Sequence, residues 1–183
     1  MDSPIDVRPG LQLRLMTLEF APELFALTVR NREYLARWLN WAPYVRELND
    51  TATFIEARIQ QYEAGLGPQF CIFYGDALVG VIGYHLVDKS NHVAEIGYWL
   101  AEDAQGKGIM SDSLKALIPY TFEALKMNRL QIRVATENHR SRAIPERLGF
   151  FREGVAREAG FNAGHYDDLV IYSLLKREWA KGQ

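Results

Sequence analysis

The sequence predicts a single domain of the α+β class, built on a mixed sheet of about seven strands flanked by helices. Its 183 residues are the length of one domain. Apolar residues make up 48% and charged residues 24%, as in ordinary globular proteins. A strand, a helix and a second strand follow one another between residues 94 and 136. This order requires at least one parallel pair of strands.

The first third of the chain predicts one strand and two helices. Apolar and polar residues alternate over residues 11–16 (LQLRLM), which is typical of a strand. Leucines at helical spacing predict a helix over residues 21–39, with an interruption at Asn31. A cap at Asn49 or Asp50 predicts a second helix that continues to about residue 64.

The remainder predicts six strands and two helices. Helical periodicity follows the glycine-rich turn at 105–108 and continues to about residue 126, and a shorter helix is expected over 138–148, kinked at Pro145. The strands are expected at residues 69–74, 78–87, 94–100, 130–136, 150–161 and 166–175.

Composition excludes several functional classes. There are 21 Lys and Arg against 23 Asp and Glu, so no general nucleic-acid footprint is present. No apolar run reaches the roughly 18 residues of a membrane helix, and the first residues lack a secretory pattern. Cys71 is alone and the four histidines are scattered, so we expect no disulfide and no metal site. We expect a cytoplasmic protein without a nucleic-acid or membrane partner.

The strongest local motif lies between a predicted strand and a predicted helix. It reads Gln105-Gly106-Lys107-Gly108-Ile109-Met110, and Ser111 follows in the first helical turn. Two glycines allow backbone N–H groups to turn toward one point, and a helix N-terminus adds free donors and a favourable dipole. The motif therefore indicates a phosphate or pyrophosphate site. A plain strand-to-helix turn is the alternative.

The order of motifs along the chain resembles the GNAT acyl-CoA-dependent N-acetyltransferases, and within them the RimJ/RimL-type ribosomal-protein N-acetyltransferases. The resemblance covers nearly the whole chain, and several weak motifs in one order are more specific than any one alone. The matching stretches are Asn31–Leu39, Ala94–Leu100 (AEIGYWL), Gln105–Gly108, Asn138 with Ser141, Glu146–Phe150 (ERLGF) and Tyr172–Trp179.

The resemblance implies a sheet whose central parallel strands, 94–100 and 130–136, splay apart. It implies acetyl-CoA as co-substrate, with the pyrophosphate on the loop at residues 105–111. The pantetheine arm would lie against the strand at Tyr98, Trp99 and Leu100, with Asn138 as a further partner. Met110 stands where the family motif has a small residue, which bears on how closely the backbone approaches the pyrophosphate.

The implied reaction moves an acetyl group from a thioester to an amine. It needs a group that takes the amine proton, and Glu95 is the candidate because its strand faces the splay. It also needs a donor for the departing thiolate, and Ser141 is the candidate. The structural alternatives are an ion-paired strand carboxylate for Glu95 and an ordinary first-turn hydroxyl for Ser141.

The acceptor side has weaker signals. Trp38, Trp41 and Tyr44 are candidates for the walls of an acceptor channel, although aromatic residues at helical spacing also belong to cores. Asp168, in the pair Asp167-Asp168, is the candidate that attracts a cationic amine. Two neighbouring residues are the reserve acid or base groups, His165 and Tyr166.

These observations predict an acetyl-CoA-dependent N-acetyltransferase acting on a primary amine, with the N-terminal α-amine of a ribosomal or other protein as the expected acceptor. One alternative acceptor is a small amine such as a polyamine, an amino-acid analogue or an aminoglycoside. Another alternative is a non-catalytic acyl-CoA-binding module. The sequence leaves the oligomeric state open, with a homodimer as one candidate.

Overall fold

The fold is a single eight-stranded sheet with helices packed on it, seen in a computed structural model that describes residues 4–182. The strands are β1 (Ile5–Arg8), β2 (Leu11–Leu15), β3 (Gln69–Tyr74), β4 (Ala77–Asp88), β5 (Val93–Leu100), β6 (Arg129–Ala135), β7 (Phe151–Asn162) and β8 (His165–Leu175). The α-helices are α1 (Ala21–Arg30), α2 (Arg32–Ala36), α3 (Leu48–Glu63), α4 (Ile109–Pro119), α5 (His139–Arg147) and α6 (Lys176–Trp179).

The strands lie in the order β1-β2-β3-β4-β5-β6-β8-β7, and β5 with β6 is the parallel pair. The mixed sheet and its parallel centre were predicted and are confirmed. The sheet has eight strands rather than about seven because β1 was missed. This strand is only four residues long, sits at the sheet edge and is mostly half-buried, so its pattern is too short to be detected.

Asn31 interrupts the first predicted helix, as expected. Its side-chain amide donates to the carbonyl of Leu27 at 2.9 Å, and its side-chain oxygen accepts the N–H of Glu102 at 3.0 Å. The side chain is therefore buried between the end of α1 and the segment that follows β5. This contact fixes α2 beside the end of β5.

The predicted cap of the next helix was wrong. Glu47 is the N-cap residue of α3, and Asp50 is the third helical residue. The Asp50 carboxylate accepts the N–H groups of Arg46 and Glu47 at 2.8 and 3.0 Å, as in a capping box. These bonds lower the pKa of Asp50.

Helix α4 ends earlier than predicted, since a π-helical turn at Tyr120–Ala124 follows Pro119. The core lies between the sheet and the helices. Its large, fully buried side chains come from β2, β3, β4, β5, α3, α4 and β8 together. Burying an aliphatic side chain of this size contributes about 1.5–3 kcal/mol.

Candidate active site

The two parallel strands separate after a short paired segment. Val93–Glu95 of β5 pairs with Arg129–Gln131 of β6, and no pair follows. Beyond that point β5 stays paired with β4 as far as Leu100, and β6 stays paired with β8 as far as Ala135. The backbone groups that β5 turns toward β6 therefore have no strand partner there. We call this separation the fork.

A cleft of about 610 Å³ begins at the fork and reaches the start of α4. Twelve of the residues singled out in the sequence line it: Trp38, Tyr98, Trp99, Leu100, Gln105, Gly106, Gly108, Ile109, Met110, Ser111, Asn138 and Ser141. Five others do not line it: Trp41, Tyr44, Glu95, Lys107 and Asp168.

The floor of the cleft is the loop at residues 105–111, which we call the glycine loop. Gly106 and Gly108 both have φ of +75°, a left-handed conformation that glycine adopts at no steric cost. Gly108 caps α4, and its carbonyl accepts the N–H of Asp112 at 3.0 Å. The amides of residues 109–111 precede that first helical bond and have no partner within the helix. They are available to an anion in the cleft.

Met110 does not obstruct this loop. Its side chain is 6% exposed and belongs to the core cluster. The bulk that replaces a small residue in the family motif is thus accommodated inside the protein. Arg8 holds the loop from the outside, since its guanidinium donates to the carbonyl of Lys107 at 3.0 Å and to the Asp112 carboxylate at 2.7 Å.

Sequence reasoning missed two cations that line the cleft, Arg140 and Arg147 on α5. Arg140 donates to the side-chain oxygen of Gln105 at 2.9 Å, and the Gln105 amide donates to the hydroxyl of Tyr34. Gln105 thus joins α2, the glycine loop and α5 across one end of the cleft. The seven-residue spacing of the two arginines was the available signal, because it places them on one helix face.

The opposite wall contains a hydroxyl pair. Tyr98 donates from its hydroxyl to the carbonyl of Ser141 at 3.1 Å, and the Ser141 hydroxyl lies 3.5 Å from the same tyrosine oxygen. Burial raises the pKa of Tyr98, an effect that the Ser141 hydrogen bond only partly opposes. The phenol therefore stays protonated at neutral pH. The sequence did not indicate this role for the tyrosine hydroxyl.

The hydrogen bond from Tyr98 to the Ser141 carbonyl is explained by Pro145, a residue for which the sequence alone gave no reason. In a regular helix the N–H of residue 145 would bond to the carbonyl of Ser141, but proline has no N–H. The Ser141 carbonyl is left free, and Tyr98 satisfies it. Asn138 caps the same helix, because its side-chain oxygen accepts the N–H of Ser141 at 3.2 Å. The side-chain N–H₂ of Asn138 has no such role and remains a donor.

Glu95 lies at the fork itself. It is the last residue of β5 that pairs with β6, and its carboxylate accepts the side-chain amide of Gln131 at 2.9 Å. Because side chains alternate along a strand, Glu95, Gly97 and Trp99 share one face of β5, opposite Tyr98. The Trp99 ring packs on Trp41, with 6.1 Å between ring centroids.

The acceptor residues are only partly brought together. Trp38 lines the cleft and Trp41 reaches it through Trp99, whereas Tyr44 is 71% exposed. Asp168 accepts the N–H of Glu158 at 2.8 Å, a residue whose φ is +51°. Its carboxylate therefore supports an irregular segment of β7, away from the cleft.

His165 and Tyr166, the reserve candidates for an acid or base, also lie on the β7–β8 hairpin. The His165 ring lies 3.2 Å from the Asp167 carboxylate. Tyr166 packs on Phe161, with 5.0 Å between ring centroids. Neither residue lines the cleft.

A forked sheet that opens onto a helix-capping glycine loop is the architecture of acyl-CoA-dependent N-acyltransferases. The donor set fits that co-substrate, since free amides and two arginines face the part of the cleft where phosphates would lie. Within residues 4–182, no helix is long and apolar enough to cross a membrane, and no three metal-ligating side chains lie together.

The chain belongs to the GNAT family of acetyltransferases and is an N-acetyltransferase: the model of the acetyltransferase (GNAT) domain matches residues 11–151. The protein YdaF of Bacillus subtilis (strain 168) is 40% identical over 94% of this chain and 95% of its own length. The ribosomal-protein-serine acetyltransferase of Escherichia coli (strain K12) is 33% identical over 96% of this chain and 98% of its own.

Two solved structures with bound ligands are equally similar in fold. RimL, the ribosomal L7/L12 alpha-N-protein acetyltransferase in complex with coenzyme A, has a TM-score of 0.92 and 30% identity, covering 96% of this chain and 99% of that one. The microcin C7 self-immunity acetyltransferase MccE, in complex with acetyl-CoA and AMP, has a TM-score of 0.92 and 30% identity, covering 96% and 97%. Acetyl-CoA is the co-substrate of this family.

Proposed function

We propose that this enzyme transfers the acetyl group of acetyl-CoA to the N-terminal α-amine of a protein, with a ribosomal protein as the leading acceptor. One observation carries the proposal: the fork, the glycine loop and the Tyr98–Ser141 pair all border a single cleft. The acceptor class is supported by two relatives that match almost the whole chain and act on ribosomal proteins.

The donor half of the cleft holds acetyl-CoA. The amides of residues 109–111 bind the pyrophosphate at the positive end of α4. Arg140 and Arg147 pair with the phosphates. The pantetheine arm lies along Tyr98, Trp99 and Leu100, where β5 has unpaired backbone groups beyond the fork. The Asn138 side-chain N–H₂ donates to a carbonyl of the arm.

The two proton transfers of the reaction take place on opposite faces of β5. The amine nitrogen attacks the thioester carbonyl, an N–C bond forms, and the C–S bond breaks. Glu95 draws off the amine proton, directly or through an intervening group. Ser141, supported by Tyr98, supplies a proton to the departing thiolate on the other face. The gap at the fork connects the two sides.

The acceptor approaches on the Glu95 face. Trp38 and Trp41 wall the channel, and Tyr44 lies at its exposed mouth. The proposal also puts the enzyme in the cytoplasm, where ribosomal proteins are made, and leaves its oligomeric state open, with a homodimer as one candidate.

Peptide acetylation tests this function. The purified protein is given acetyl-CoA and a ribosomal-protein N-terminal peptide that carries one internal lysine. A matched peptide has its α-amine blocked. Tandem mass spectrometry should find acetyl on the α-amine of the free peptide and none on the blocked one. Acetylation of lysine in both peptides would refute the α-amine assignment.

A small-amine acceptor is the second candidate, because MccE, with its AMP complex, is as similar in fold as RimL. The same assay with polyamines, amino-acid analogues and aminoglycosides as acceptors separates the two candidate functions. A kcat/KM for a small amine that exceeds the peptide value at least tenfold would favour this candidate over the first.

A further inference from the structure

A histidine that the sequence analysis left aside lies on the Glu95 face of the fork. His85 is the extra residue of a β-bulge in β4, because Tyr84 pairs with Ile96 while Leu86 pairs with Glu95. A bulge of this kind bends the strand and re-aims one side chain. Here the redirected side chain is the imidazole.

The ring occupies a specific place on β5. A Cβ built on Gly97 would overlap the Cε1 and Nε2 atoms of His85, so the imidazole lies directly on the glycine. Gly97 is the second residue beyond the last paired position of the fork, between Glu95 and Trp99 on the same face. Any larger residue at position 97 would expel the ring.

Two charged groups face the imidazole. Glu95 on β5 raises its pKa and Arg58 on α3 lowers it, but the largest effect is desolvation, which lowers it. One side of the ring lies against Gly97, but the residue as a whole is exposed to solvent. Within residues 4–182, the imidazole ring of His85 forms no hydrogen bond with any side chain or backbone group.

We propose that His85 is the residue that receives the proton of the acceptor amine, with Glu95 as the carboxylate that stabilises the resulting imidazolium. The inference rests on the proposed function and deepens it, since it identifies the group between the carboxylate and the amine. The amine N–H bond breaks as the N–C bond forms, and its proton moves to an imidazole nitrogen. The C–S electrons leave with the thiolate, which is protonated from the Ser141 side.

The direct test compares wild type with His85→Gln, which keeps a side chain of similar reach but cannot take up a proton. His92→Asn is the matched control, because His92 is exposed in the β4–β5 turn with φ of +54°, a conformation that asparagine tolerates. We expect kcat/KM of His85→Gln to fall about 100-fold at neutral pH, within the range of general bases, and that of the control to stay unchanged.

The ratio of the wild-type kcat/KM to the His85→Gln kcat/KM distinguishes a proton acceptor from a residue that only packs. Both enzymes use the same peptide, so the protonation of its amine affects both values equally and does not change the ratio. The ratio should shrink as pH falls through the imidazole pKa, below its ordinary value of about 6.5. A ratio near one, or a large ratio that does not change with pH, would overturn the proposal. If wild type itself acetylates no amine, the proposed function fails instead.

Two further measurements apply if His85→Gln is poorly folded. Gly97→Ala should displace the ring with Glu95 intact, and we expect the same loss of kcat/KM with an unchanged coenzyme A-induced Tm shift. NMR titration of the His85 Cε1–H should give a pKa below 6.5 that falls further in Glu95→Gln, because a stabilising carboxylate has been removed. Full activity of Gly97→Ala, or a pKa indifferent to Glu95→Gln, would overturn the proposal.

Discussion

Removing the Tyr98 hydroxyl tests both the architecture and the chemistry of the cleft. In Tyr98→Phe the Ser141 carbonyl loses its donor, because Pro145 cannot supply one. An unsatisfied polar group of this kind costs about 1–3 kcal/mol of unfolding free energy. For a chain of this length each kcal/mol lowers Tm by roughly 2–4 °C.

A second substitution separates the two roles. Pro145→Ala restores an N–H one helical turn after Ser141, so Tyr98→Phe/Pro145→Ala should regain most of the lost Tm. It should not regain turnover, because the phenol that supports the Ser141 hydroxyl is still missing. Calorimetry and steady-state kinetics on the single and double variants complete the cycle. Equal recovery of stability and kcat in the double variant would refute a chemical role for the hydroxyl.

Four other outcomes follow from the structure. Gly108→Asp should abolish the coenzyme A-induced Tm shift, which for wild type corresponds to about 2.7 kcal/mol at 100 times Kd; a retained shift would exclude the glycine loop as the phosphate site. Ser141→Ala should lower kcat and kcat/KM alike while coenzyme A still raises Tm. An unchanged kcat would mean that Ser141 is an ordinary hydroxyl in the first turn of α5. Glu95→Gln should reduce the rate most near neutral pH and progressively less toward about pH 9, because an α-amine with a pKa of about 7.7–8.0 then deprotonates in solution; equal rates at every pH would exclude Glu95 from proton transfer. Asn162→Ala should lower Tm by roughly 2–8 °C, since this buried side chain donates to the carbonyls of Ala36 and Arg37 at 3.2 and 3.0 Å; an unchanged Tm would show that the hairpin is held by other contacts.

Features encoded by neighbouring residues could be predicted from the sequence. The glycine loop is one, because Gly106 and Gly108 combine a positive φ with an immediately following helix. The Asn138 cap and the break at Asn31 are others, since each depends on bonds within a few residues. The parallel centre of the sheet followed from the order of strand, helix and strand alone.

Features made by distant residues could not be predicted. The bulge at His85 exists because two residues of β4 lie opposite one residue of β5. The local sequence of neither strand indicates this mismatch. The bond from Tyr98 to Ser141 joins positions 43 residues apart. The charge of Asp168 predicted a place near the acceptor amine. Its carboxylate accepts the N–H of Glu158 in β7, and strand alternation in the sequence does not reveal this partner.

Isotope-labelled acetylation of the cell's own proteins tests the central claim most directly. The enzyme and acetyl-CoA carrying a heavy acetyl group are added to a lysate, and the labelled molecules are located by mass spectrometry. The fork, the cleft and the relatives together predict heavy acetyl on the N-terminal α-amine of one or a few ribosomal proteins, and its absence when Gly108→Asp replaces wild type. Heavy label confined to lysine side chains or to small amines would contradict the account.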